Sequence, residues 1–308
     1  MQNLLALDIG GMFIKYGLMD EEGNFIKKGK EPSHTESLEE ELAGIKAILD
    51  GIEEEYEGIA VSMPGRIDPK KGIAYTGGAF RFIDHTPMAS LIEEISGKPT
   101  VIANDGKCAA RAEVENGALS PYDNGAVLVI GTGIGGGIVL NKRVWLGSTG
   151  GAGEFSFLPM SFSEFPENAQ NFYINEKSVW TGSTAATGIC MMYAEKAGLD
   201  WRDVNGVRIF EAYDKGEQAA IDTIEEFGHD TASGIYCIQS ILDLDVYAIG
   251  GGMSARKEMT DVVRKYLDAI YTTIPVLPFK KPEIVTCVYG NDANLIGARG
   301  FYKDFYGK

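Results

Sequence analysis

The sequence predicts an α/β protein of two related domains with a cleft between them. Two glycine-rich hairpins support this prediction. Leu4–Gly17 (LLALDIGGMFIKYG) and Val127–Leu140 (VLVIGTGIGGGIVL) each consist of an apolar strand, a turn almost without side chains, and a second apolar strand. In both halves further strands and helices then alternate, as in α/β folds. A length of 308 residues suffices for two such domains.

The composition is that of a globular protein with an acidic surface. Hydrophobic residues make up 44% of the chain, and 28 basic against 44 acidic residues give a net charge of −16. This charge serves solubility and repels nucleic acids and anionic membranes, so neither is an expected partner. It does not exclude ATP, because backbone N–H groups and Mg²⁺ hold phosphates without a basic patch.

Cysteine usage and hydropathy predict a cytoplasmic protein. The four cysteines are scattered, without a CxxC pair or a Cys/His cluster, which indicates neither a disulfide framework nor a zinc site. The chain begins with a predicted strand rather than a signal peptide. No apolar run approaches the length that spans a membrane.

The first half is predicted to be a strand meander followed by alternating helices and strands. Its first three strands are Leu4–Asp8, Phe13–Met19 and Phe25–Lys30. Apolar residues at helical spacing, with glutamates opposite, predict a helix over Ser37–Tyr56. The remaining elements are the strand Ile59–Met63, the Pro64-Gly65 break, a short strand near Ile73–Tyr75, the helix Met88–Ser96, the buried strand Thr100–Ala103 and a helix from Asn104-Asp105 to about Asn116.

The second half repeats this plan. Turn composition at Leu119–Gly125 predicts a domain boundary, with a smaller domain at residues 1–118 and a larger one at 119–290. The last helix, at about 291–308, is expected to pack back on the first domain. The elements after the hairpin are a strand near Val144–Leu146, helical stretches around Ser178–Ala197, Gly206–Tyr213 and Gln218–Leu242, the strand Val246–Ile249, the helix Lys257–Thr273, the strand Glu283–Val288 and the helix Ala293–Phe305.

The two hairpin turns suggest phosphate binding. Glycine accepts positive φ values and lets backbone N–H groups crowd around a ligand. Two such turns in one chain suggest a nucleotide held between the two halves. A third glycine turn, Gly250–Gly252, follows a predicted strand and precedes a helix.

Seven motifs resemble the ROK family of sugar kinases and sugar-responsive repressors. The motifs are LDIGGMFIKYGL, VSMPGRIDP, IANDGKCAARAE, VIGTGIGGGIVLN, GGAGEF, AIGGGMSA and YGNDANLIGA, and they extend over nearly the whole chain. One glycine motif would be weak evidence, whereas this order and spacing together are specific. The resemblance implies the two-domain actin-like (ribonuclease H-like) ATPase fold, with ATP and a sugar in the central cleft.

The resemblance implies that the three glycine turns bind ATP. Asp8 is expected to hold Mg²⁺, through water, beside the β- and γ-phosphates. The other residues implied for this site are Gly10, Gly11, Lys15, Gly131, Thr132, Gly133, Gly135, Gly251 and Gly252. Taken alone, each turn has a structural explanation: a hairpin capped by an aspartate, a flexible loop, or a tight β–α connection. The family usually has Thr where this chain has Met12, so one hydroxyl contact to phosphate is missing.

The Asn104-Asp105 pair is the predicted catalytic constellation. A carboxylate at the end of a buried strand reaches into a crevice, where it accepts the proton of a hydroxyl group attacking the γ-phosphate in line. By resemblance, Asp105 is the general base and Asn104 binds a sugar hydroxyl. The alternative is that Asp105 only caps the following helix.

Glu154, in the GGAGEF motif, resembles the glutamate that accepts hydrogen bonds from sugar hydroxyls. After it this chain departs from the family. The usual cysteine-rich zinc loop is replaced by Pro159–Lys177, which contains no Cys or His, so no structural zinc is expected. Lys107 stands where the family more often has Asn, and Phe157 replaces a histidine.

Small residues around Gly78 resemble the branch of the family that includes β-glucoside kinases. Less bulk there would admit a disaccharide, with Phe82 or Phe157 as a stacking platform, although both fit equally well as core aromatics. Gly65 and Gly78 are therefore included among the predicted substrate-binding residues.

The predicted activity is ATP-dependent phosphorylation of a sugar hydroxyl, by resemblance the 6-hydroxyl of a β-glucoside or hexose. Glucokinase and N-acetylmannosamine kinase are the alternative enzymes. The acidic charge and the first hairpin within the first few residues disfavour a DNA-binding repressor. A catalytically silent sugar sensor stays open. The resemblance also favours a homodimer.

Overall fold

The computed structural model describes residues 3–78, 80–161 and 179–307. Their strands are β1 (Leu4–Ile9), β2 (Phe13–Met19), β3 (Phe25–Pro32), β4 (Ile59–Met63), β5 (Ile67–Asp68), β6 (Ile73–Ala74), β7 (Thr100–Asn104), β8 (Gly125–Ile130), β9 (Ile134–Leu140), β10 (Arg143–Trp145), β11 (Val246–Gly250) and β12 (Glu283–Thr286). They form a five-stranded sheet in the order β3-β2-β1-β4-β7, a second in the order β10-β9-β8-β11-β12, and the hairpin β5–β6.

Both five-stranded sheets have the same connectivity. In each, the first three strands pair antiparallel as a meander. The first strand of the meander also pairs parallel with the fourth strand, which pairs parallel with the last. In the first sheet this register places Asp8 of β1 between Lys15 of β2 and Ser62 of β4. The prediction of an α/β fold with two related halves is confirmed.

The helices separate the sheets and cover their outer faces. They are α1 (Leu38–Asp50), α2 (Met88–Ser96), α3 (Asp105–Asn116), α4 (Trp180–Thr184), α5 (Ala186–Ala197), α6 (Gly206–Asp214), α7 (Gln218–Leu242), α8 (Lys257–Thr273) and α9 (Ala293–Tyr306). Leu5 and Leu7 of β1 pack toward α1 and α2, whereas Leu4 packs toward α9, as the alternation of a strand requires. None of the described helices is both long and apolar enough to cross a membrane.

Helices α3 and α9 form the layer between the two sheets. The apolar side of α3 packs on the second sheet, while Ala298 and Phe301 of α9 pack on the first. The two helices cross closely, because a Cβ atom placed on Gly297 of α9 would lie 1.7 Å from the carbonyl oxygen of Cys108 in α3. Both sheets therefore rest on one helix pair, and the starts of both helices point toward the cleft residues described below.

We expect Gly297→Ala to lower the free energy of unfolding by about 3 kcal/mol, because a methyl group forced against backbone separates the helices. Urea denaturation measures this change. Gly206→Ala is the control: its Cβ would approach only the Met253 side chain, at 3.6 Å. That variant should change stability by less than about 1 kcal/mol. Equal stabilities of the two variants would contradict the close crossing.

Most predicted elements match the structure within two residues, and two helical stretches differ by more. Helix α1 ends at Asp50 rather than Tyr56: the Gly51 N–H still donates to the Ala47 carbonyl four residues back, but the Ile52 N–H donates to Leu49, so the helical bonding pattern stops there. The stretch predicted over Ser178–Ala197 begins outside the described residues, and its described part is two helices, α4 and α5, separated at Ala185. The short strand predicted near residues 73–75 is one half of the hairpin β5–β6.

Candidate active site

The first glycine turn has a buried aspartate at its base. Asp8 is 5% exposed, and its Oδ1 accepts hydrogen bonds from Ser62 Oγ and Asn294 Nδ2, both at 2.9 Å. Lys15 Nζ lies 3.3 Å from Oδ2, and the lysine side chain is 43% exposed. A Cβ atom placed on Gly11 would meet no atom within 4 Å. The turn beside Asp8 therefore faces open space.

The segment after β3 braces this turn. Ser33 Oγ donates to the carbonyl oxygen of Gly10 at 2.5 Å, and the Ser33 backbone N–H donates to that of Met12 at 3.1 Å. Met12 itself is 78% exposed. Ser33 thus brings a hydroxyl group to a turn that lacks the usual threonine.

The second glycine turn contains two kinds of glycine. Gly136 and Gly137 are required by packing, because their Cβ atoms would lie 1.9 Å from a carbonyl of β8 and 2.7 Å from a side chain of α3. Gly131 and Gly135 have no atom closer than 4.0 Å, while Gly133 lies against a serine hydroxyl. A glycine kept where a side chain has room is typical of close backbone approach by a ligand. Gly131 and Gly135 therefore leave room for a ligand to approach the backbone, although the Gly131 N–H donates to the Gly133 carbonyl oxygen at 2.9 Å.

Two cavities meet at the third glycine turn. The first, of about 590 Å³, lies between the second and third turns and is lined by Thr132 and Gly252. The second, of about 330 Å³, extends from Gly251 and Gly252 to Lys15 and Asn294 beside the first turn. Gly252 lines both cavities, so both adjoin the third glycine turn, and the second cavity reaches Lys15 beside the first turn.

The larger cavity has an apolar, aromatic wall. Phe210 lines it, and the Arg256 guanidinium carbon lies 4.6 Å from the centre of the phenyl ring. Arg256 is held there by Asp214, whose two carboxylate oxygens accept from its two terminal nitrogens at 3.1 and 2.6 Å. A flat apolar wall of this kind suits a planar ring.

Asn104, rather than Asp105, caps helix α3. Asn104 Oδ1 accepts from the backbone N–H of Lys107 at 3.2 Å, and Nδ2 donates to the Gly65 carbonyl and to Asp105 Oδ1, both at 2.9 Å. Asp105 Oδ1 also accepts from the backbone N–H of Gly106 at 2.8 Å. Within the described ranges, no donor is bonded to Asp105 Oδ2. The alternative in which Asp105 serves only as the helix cap is therefore not supported.

Gly65 and Gly78 lie beside Asn104. A Cβ atom on Gly65 (φ +96°) would lie 1.9 Å from the carbonyl oxygen of Thr76, and one on Gly78 (φ +62°) would lie 3.5 Å from the Gly65 nitrogen. The loop after β4 and the loop at Gly78 are thus in contact. Because both amide hydrogens of Asn104 donate to protein acceptors, only its carbonyl oxygen has capacity left for a sugar.

The carboxyl group of Asp105 is strongly perturbed. Burial raises its pKa to about 6, and the negative charges of Asp8 and Glu154 act in the same direction. The hydrogen bond from Gly106 and the positive charge of Lys107 oppose this rise. A carboxyl pKa near the working pH is typical of a general base.

Glu154 reaches α3 from the second half of the chain. It directly precedes the 3₁₀ turn Phe155–Phe157, and its Oε1 lies 2.6 Å from Lys107 Nζ. The Lys107 side chain is 1% exposed and that of Glu154 is 41% exposed. The close approach of the loop before Glu154 to β9 requires glycine, because a Cβ atom on Gly153 would lie 3.1 Å from a Cα atom of β9. Glu154 is thereby fixed at the same end of α3 as Asp105.

Two residues of this site, Lys107 and Asn294, were not in the predicted set. A signal for both is present in the sequence, since IANDGKCAARAE and YGNDANLIGA share an Asn-Asp pair at the start of a helix. Lys107 and Asn294 occupy the same position after that pair, on α3 and α9. Aligning the two motifs would have predicted that both side chains face the cleft.

The two aromatic residues predicted as stacking platforms differ in exposure. Phe82 packs edge-to-face on Phe80, with ring centres 5.8 Å apart, against the apolar core between the first sheet and helices α1 and α2. Phe157 is 49% exposed. Of the two rings, Phe157 therefore has the larger exposed surface.

The prediction that no structural zinc is bound concerns the loop Pro159–Lys177, most of which lies outside the described residues. In the part of the chain that is described, no three His, Cys, Asp or Glu side chains are grouped to hold a metal ion. The zinc prediction is therefore still open.

The site as a whole suits the transfer of a charged group between two ligands. One ligand would occupy the two cavities along the glycine turns. The other would lie where Asp105 and Glu154 meet, with a carboxylate ready to accept a proton.

Comparisons with known proteins agree with this geometry. The model of the ROK family matches residues 4–304. The chain is 30% identical over 303 residues to a beta-glucoside kinase of Klebsiella pneumoniae, covering 98% of this chain and 97% of that protein. A ROK family protein of Streptococcus pneumoniae in complex with sucrose has a TM-score of 0.87 at 26% identity over 99% of both chains. A ROK family glucokinase of Streptomyces griseus in complex with glucose and AMPPNP has a TM-score of 0.78 at 22% identity, over 96% and 97% of the two chains, and shares the two-domain actin-like fold.

Proposed function

The chain belongs to the ROK family as a carbohydrate kinase, and from that premise we propose that it transfers the γ-phosphoryl group of ATP to the 6-hydroxyl group of a β-glucoside. The observation that carries this proposal is the carboxylate of Asp105. Its pKa is raised to about 6, and Asn104 and Gly106 fix one of its oxygens. The other oxygen is left to a substrate hydroxyl.

In the proposed reaction, Asp105 accepts the hydroxyl proton as the sugar oxygen bonds to the γ-phosphorus. The bond from that phosphorus to the β–γ bridging oxygen breaks, and ADP leaves with its electron pair. Glu154 and the carbonyl oxygen of Asn104 accept hydrogen bonds from other sugar hydroxyls and hold the reacting one in line. Closure of the two halves around the substrates would exclude water and so limit ATP hydrolysis.

The proposed ATP site follows the row of glycine turns. The base would lie against Phe210 in the larger cavity, and the phosphates would extend past Gly252 toward Lys15. The backbone N–H group of the open Gly11 would donate to a phosphate oxygen. The N–H of Gly131 already donates to the Gly133 carbonyl oxygen at 2.9 Å, so Gly131 would offer space for the phosphates rather than a donor.

Asp8 fits the proposed Mg²⁺ site. This ion takes oxygen ligands, commonly one or two carboxylates together with substrate phosphates and water. Asp8 offers a carboxylate whose Oδ1 is fixed by Ser62 and Asn294, next to the open turn at Gly11. We propose that Asp8 holds Mg²⁺ through water, where the ion would neutralise phosphate charge.

The activity should depend on pH through Asp105. Asp105 acts as a base only when ionised, so kcat/KM for the sugar should fall as the pH drops through about 6, rather than near the ordinary value of 3.8. Initial rates between about pH 5 and pH 8 measure this fall, which is the acid limb of the rate profile. A rate that stays flat down to pH 5 would show that no group with this pKa acts as the base.

Several observations support a β-glucoside as the substrate. A relative that is 30% identical is named a beta-glucoside kinase, and another was solved with the disaccharide sucrose. Gly78 has no side chain beside the site, and Phe157 is 49% exposed. Both features leave room for a second ring.

The test is phosphoryl transfer from Mg²⁺–ATP to glucose, N-acetylmannosamine, cellobiose and an aryl β-glucoside, with phosphorus NMR to locate the phosphate on the product. Turnover of the two glycosides at their 6-hydroxyl groups supports the proposal. Turnover of a monosaccharide alone would support a sugar kinase but exclude a β-glucoside as its substrate. No turnover of any of the four would favour a silent sensor or another sugar.

We also propose that the protein is a cytoplasmic homodimer that binds neither nucleic acid nor membranes. The family resemblance supports the dimer. The four unpaired cysteines Cys108, Cys190, Cys237 and Cys287 suit a reducing compartment. Light scattering of the purified protein would determine the oligomeric state, and a monomer would contradict the proposal.

A further inference from the structure

We propose that Lys107 is a positioning residue, which holds Glu154 in the orientation that binds the sugar and so sets the affinity for it. This inference rests on the proposed function and deepens it. Lys107 stands at a position where ROK proteins more often have asparagine. The positioning of Glu154 by a lysine is therefore specific to this chain and to relatives that share the lysine.

The first support is the burial of the lysine together with its contact. Its side chain is 1% exposed, although it lies at the start of α3 beside the cleft, and its Nζ is 2.6 Å from Glu154 Oε1. A buried ammonium group requires an anionic partner. Within the described ranges, Glu154 is the one carboxylate in ion-pair contact with Lys107. The lysine is therefore placed to serve this glutamate.

The second support is what the contact does to Glu154. This residue lies in a loop, between Gly153 and a 3₁₀ turn, and its side chain is 41% exposed. Without Lys107 the carboxylate would sample several rotamers. With Oε1 fixed on the ammonium group, the carboxylate is held in one orientation and Oε2 is left for a sugar hydroxyl, which reduces the entropy that sugar binding must remove.

A purely structural role explains the pair less well. A buried ion pair contributes little to folding, because the cost of removing two charges from water offsets their attraction. The pair also joins α3 to a loop of the second half, 47 residues away in the chain, at the place where Asp105 lies. An ion pair at this position affects the active site more directly than it affects the apolar core of either half.

Lys107 also influences Asp105. The groups whose charge acts on Asp105 are Asp8 from β1, Glu154 from the loop and Lys107 from α3, and Lys15 offsets the charge of Asp8. The Lys107 charge lowers the pKa of Asp105. Loss of that charge would raise the pKa, and the acid limb of the rate profile would move to higher pH.

Two variants separate position from charge. Lys107→Met retains the length but neither charge nor donor, whereas Lys107→Gln retains an N–H donor for Glu154 without the charge. We expect Lys107→Met to raise the KM for cellobiose about tenfold and Lys107→Gln to stay within about threefold of wild type. In both variants the KM for ATP should change by less than about threefold, and the acid limb should move to higher pH.

A double-mutant cycle with Glu154→Gln tests the pair directly. If Lys107 acts through Glu154, the double variant with Lys107→Met has the KM of Glu154→Gln alone. Independent, additive effects would overturn the inference, as would an unchanged KM in Lys107→Met. If Lys107→Met does not fold, Lys107→Asn replaces it in the cycle, since its shorter side chain cannot reach Glu154: a double variant with the KM of Glu154→Gln alone supports the inference, and additive effects overturn it.

Calorimetry with cellobiose and with glucose makes the test independent of turnover. If the wild type phosphorylates none of the four sugars, the proposed function fails, yet weaker binding by Lys107→Met alone would still support the role of Lys107. If the wild type binds neither cellobiose nor glucose, both proposals are overturned.

Discussion

Asp105→Asn is expected to lower kcat for phosphoryl transfer by about 10²- to 10⁴-fold, while the dissociation constant of the sugar changes by less than about threefold. The amide has no basic oxygen for the hydroxyl proton, so the chemical step loses its general base. Its Oδ1 still accepts the hydrogen bonds from Asn104 and Gly106, so the start of α3 keeps its shape. A coupled assay gives kcat, and calorimetry gives the dissociation constant.

The matched control for this variant is Asp20→Asn. Asp20 also accepts a backbone N–H through Oδ1, at 2.8 Å from Asn24, but it lies in the exposed turn between β2 and β3. Its kcat should stay within about twofold of wild type. A rate near wild type for Asp105→Asn would contradict the assignment of the base.

Asp8→Asn is expected to reduce kcat by about 10²-fold or more and to raise the KM for ATP, because the site loses a charged oxygen for Mg²⁺. The amide oxygen continues to accept from Ser62 and Asn294, so the end of β1 is preserved. The amide nitrogen, however, would face the Lys15 ammonium at the present 3.3 Å contact, where two donors meet. Steady-state kinetics with varied ATP and Mg²⁺ measure both effects.

Asp8→Asn should also shift the pH dependence of the rate, in the direction opposite to the shift expected when the Lys107 charge is lost. The negative charge of Asp8 raises the pKa of Asp105, so its removal lets Asp105 ionise more easily and moves the acid limb to lower pH. Asp50→Asn is the control, since among the described residues the ion-pair partner of Asp50 is Lys46, on the surface of α1. An Asp8→Asn enzyme with unchanged kcat and unchanged KM for ATP would exclude Asp8 from the ATP site.

Apolar periodicity located the helices, but it fixed the ends of only some of them. Helices α2, α7 and α8 have the predicted bounds, because apolar residues at helical spacing follow each other without interruption. The helical spacing of apolar residues continues through Ile52 and Tyr56 after α1. Both side chains pack against the apolar core between the first sheet and helices α1 and α2. They do so beyond the helix, which Gly51 has already closed. Burial alone therefore does not show that a segment is helical.

The division between α4 and α5 had no local signal. It depends on tertiary contacts: the backbone N–H of Ala186 donates to the carbonyl of Gly131 in the second glycine turn, at 2.8 Å. In addition, a Cβ atom on Gly188 would lie 2.2 Å from the carbonyl oxygen of Gly182. The chain bends where it meets another part of the fold, and no proline or turn sequence announces that bend.

The site was predictable where a motif holds its residues together and less so where distant parts meet. Asn104 and Asp105 are adjacent in the chain, so one motif suggested both. The contact between Asn294 and Asp8 joins residues 286 positions apart, and the Lys107–Glu154 pair joins residues 47 apart. Neither pairing follows from local sequence, because each requires the two sheets to meet across α3 and α9.

The proposed domain limits, 1–118 and 119–290, remain a prediction. Helices α3 and α9 each contact both sheets. Cys108 of α3 and Ala298 of α9 pack in a cluster with β1, β4 and β7, while Ala110 of α3 and Ala293 of α9 pack in a cluster with β8 and β11. Any motion of one half relative to the other would therefore act on this helix pair. Hydrogen exchange of the α3 and α9 amides with and without ATP would show whether that layer responds to the ligand.

The shared strand order of the two sheets has a consequence for the ancestry of the chain. An ancestral unit of half this length, duplicated and joined in tandem, would leave two meanders, two parallel additions and two closing helices, as α3 and α9 are here. The Asn-Asp pair at the start of each helix is then an inherited feature whose copies have diverged. Both copies keep the aspartate, but Asp105 lies in the cleft whereas Asp292 pairs with Lys28. Two residues after each pair, Asn294 of α9 reaches Asp8 in the first half and Lys107 of α3 reaches Glu154 in the second.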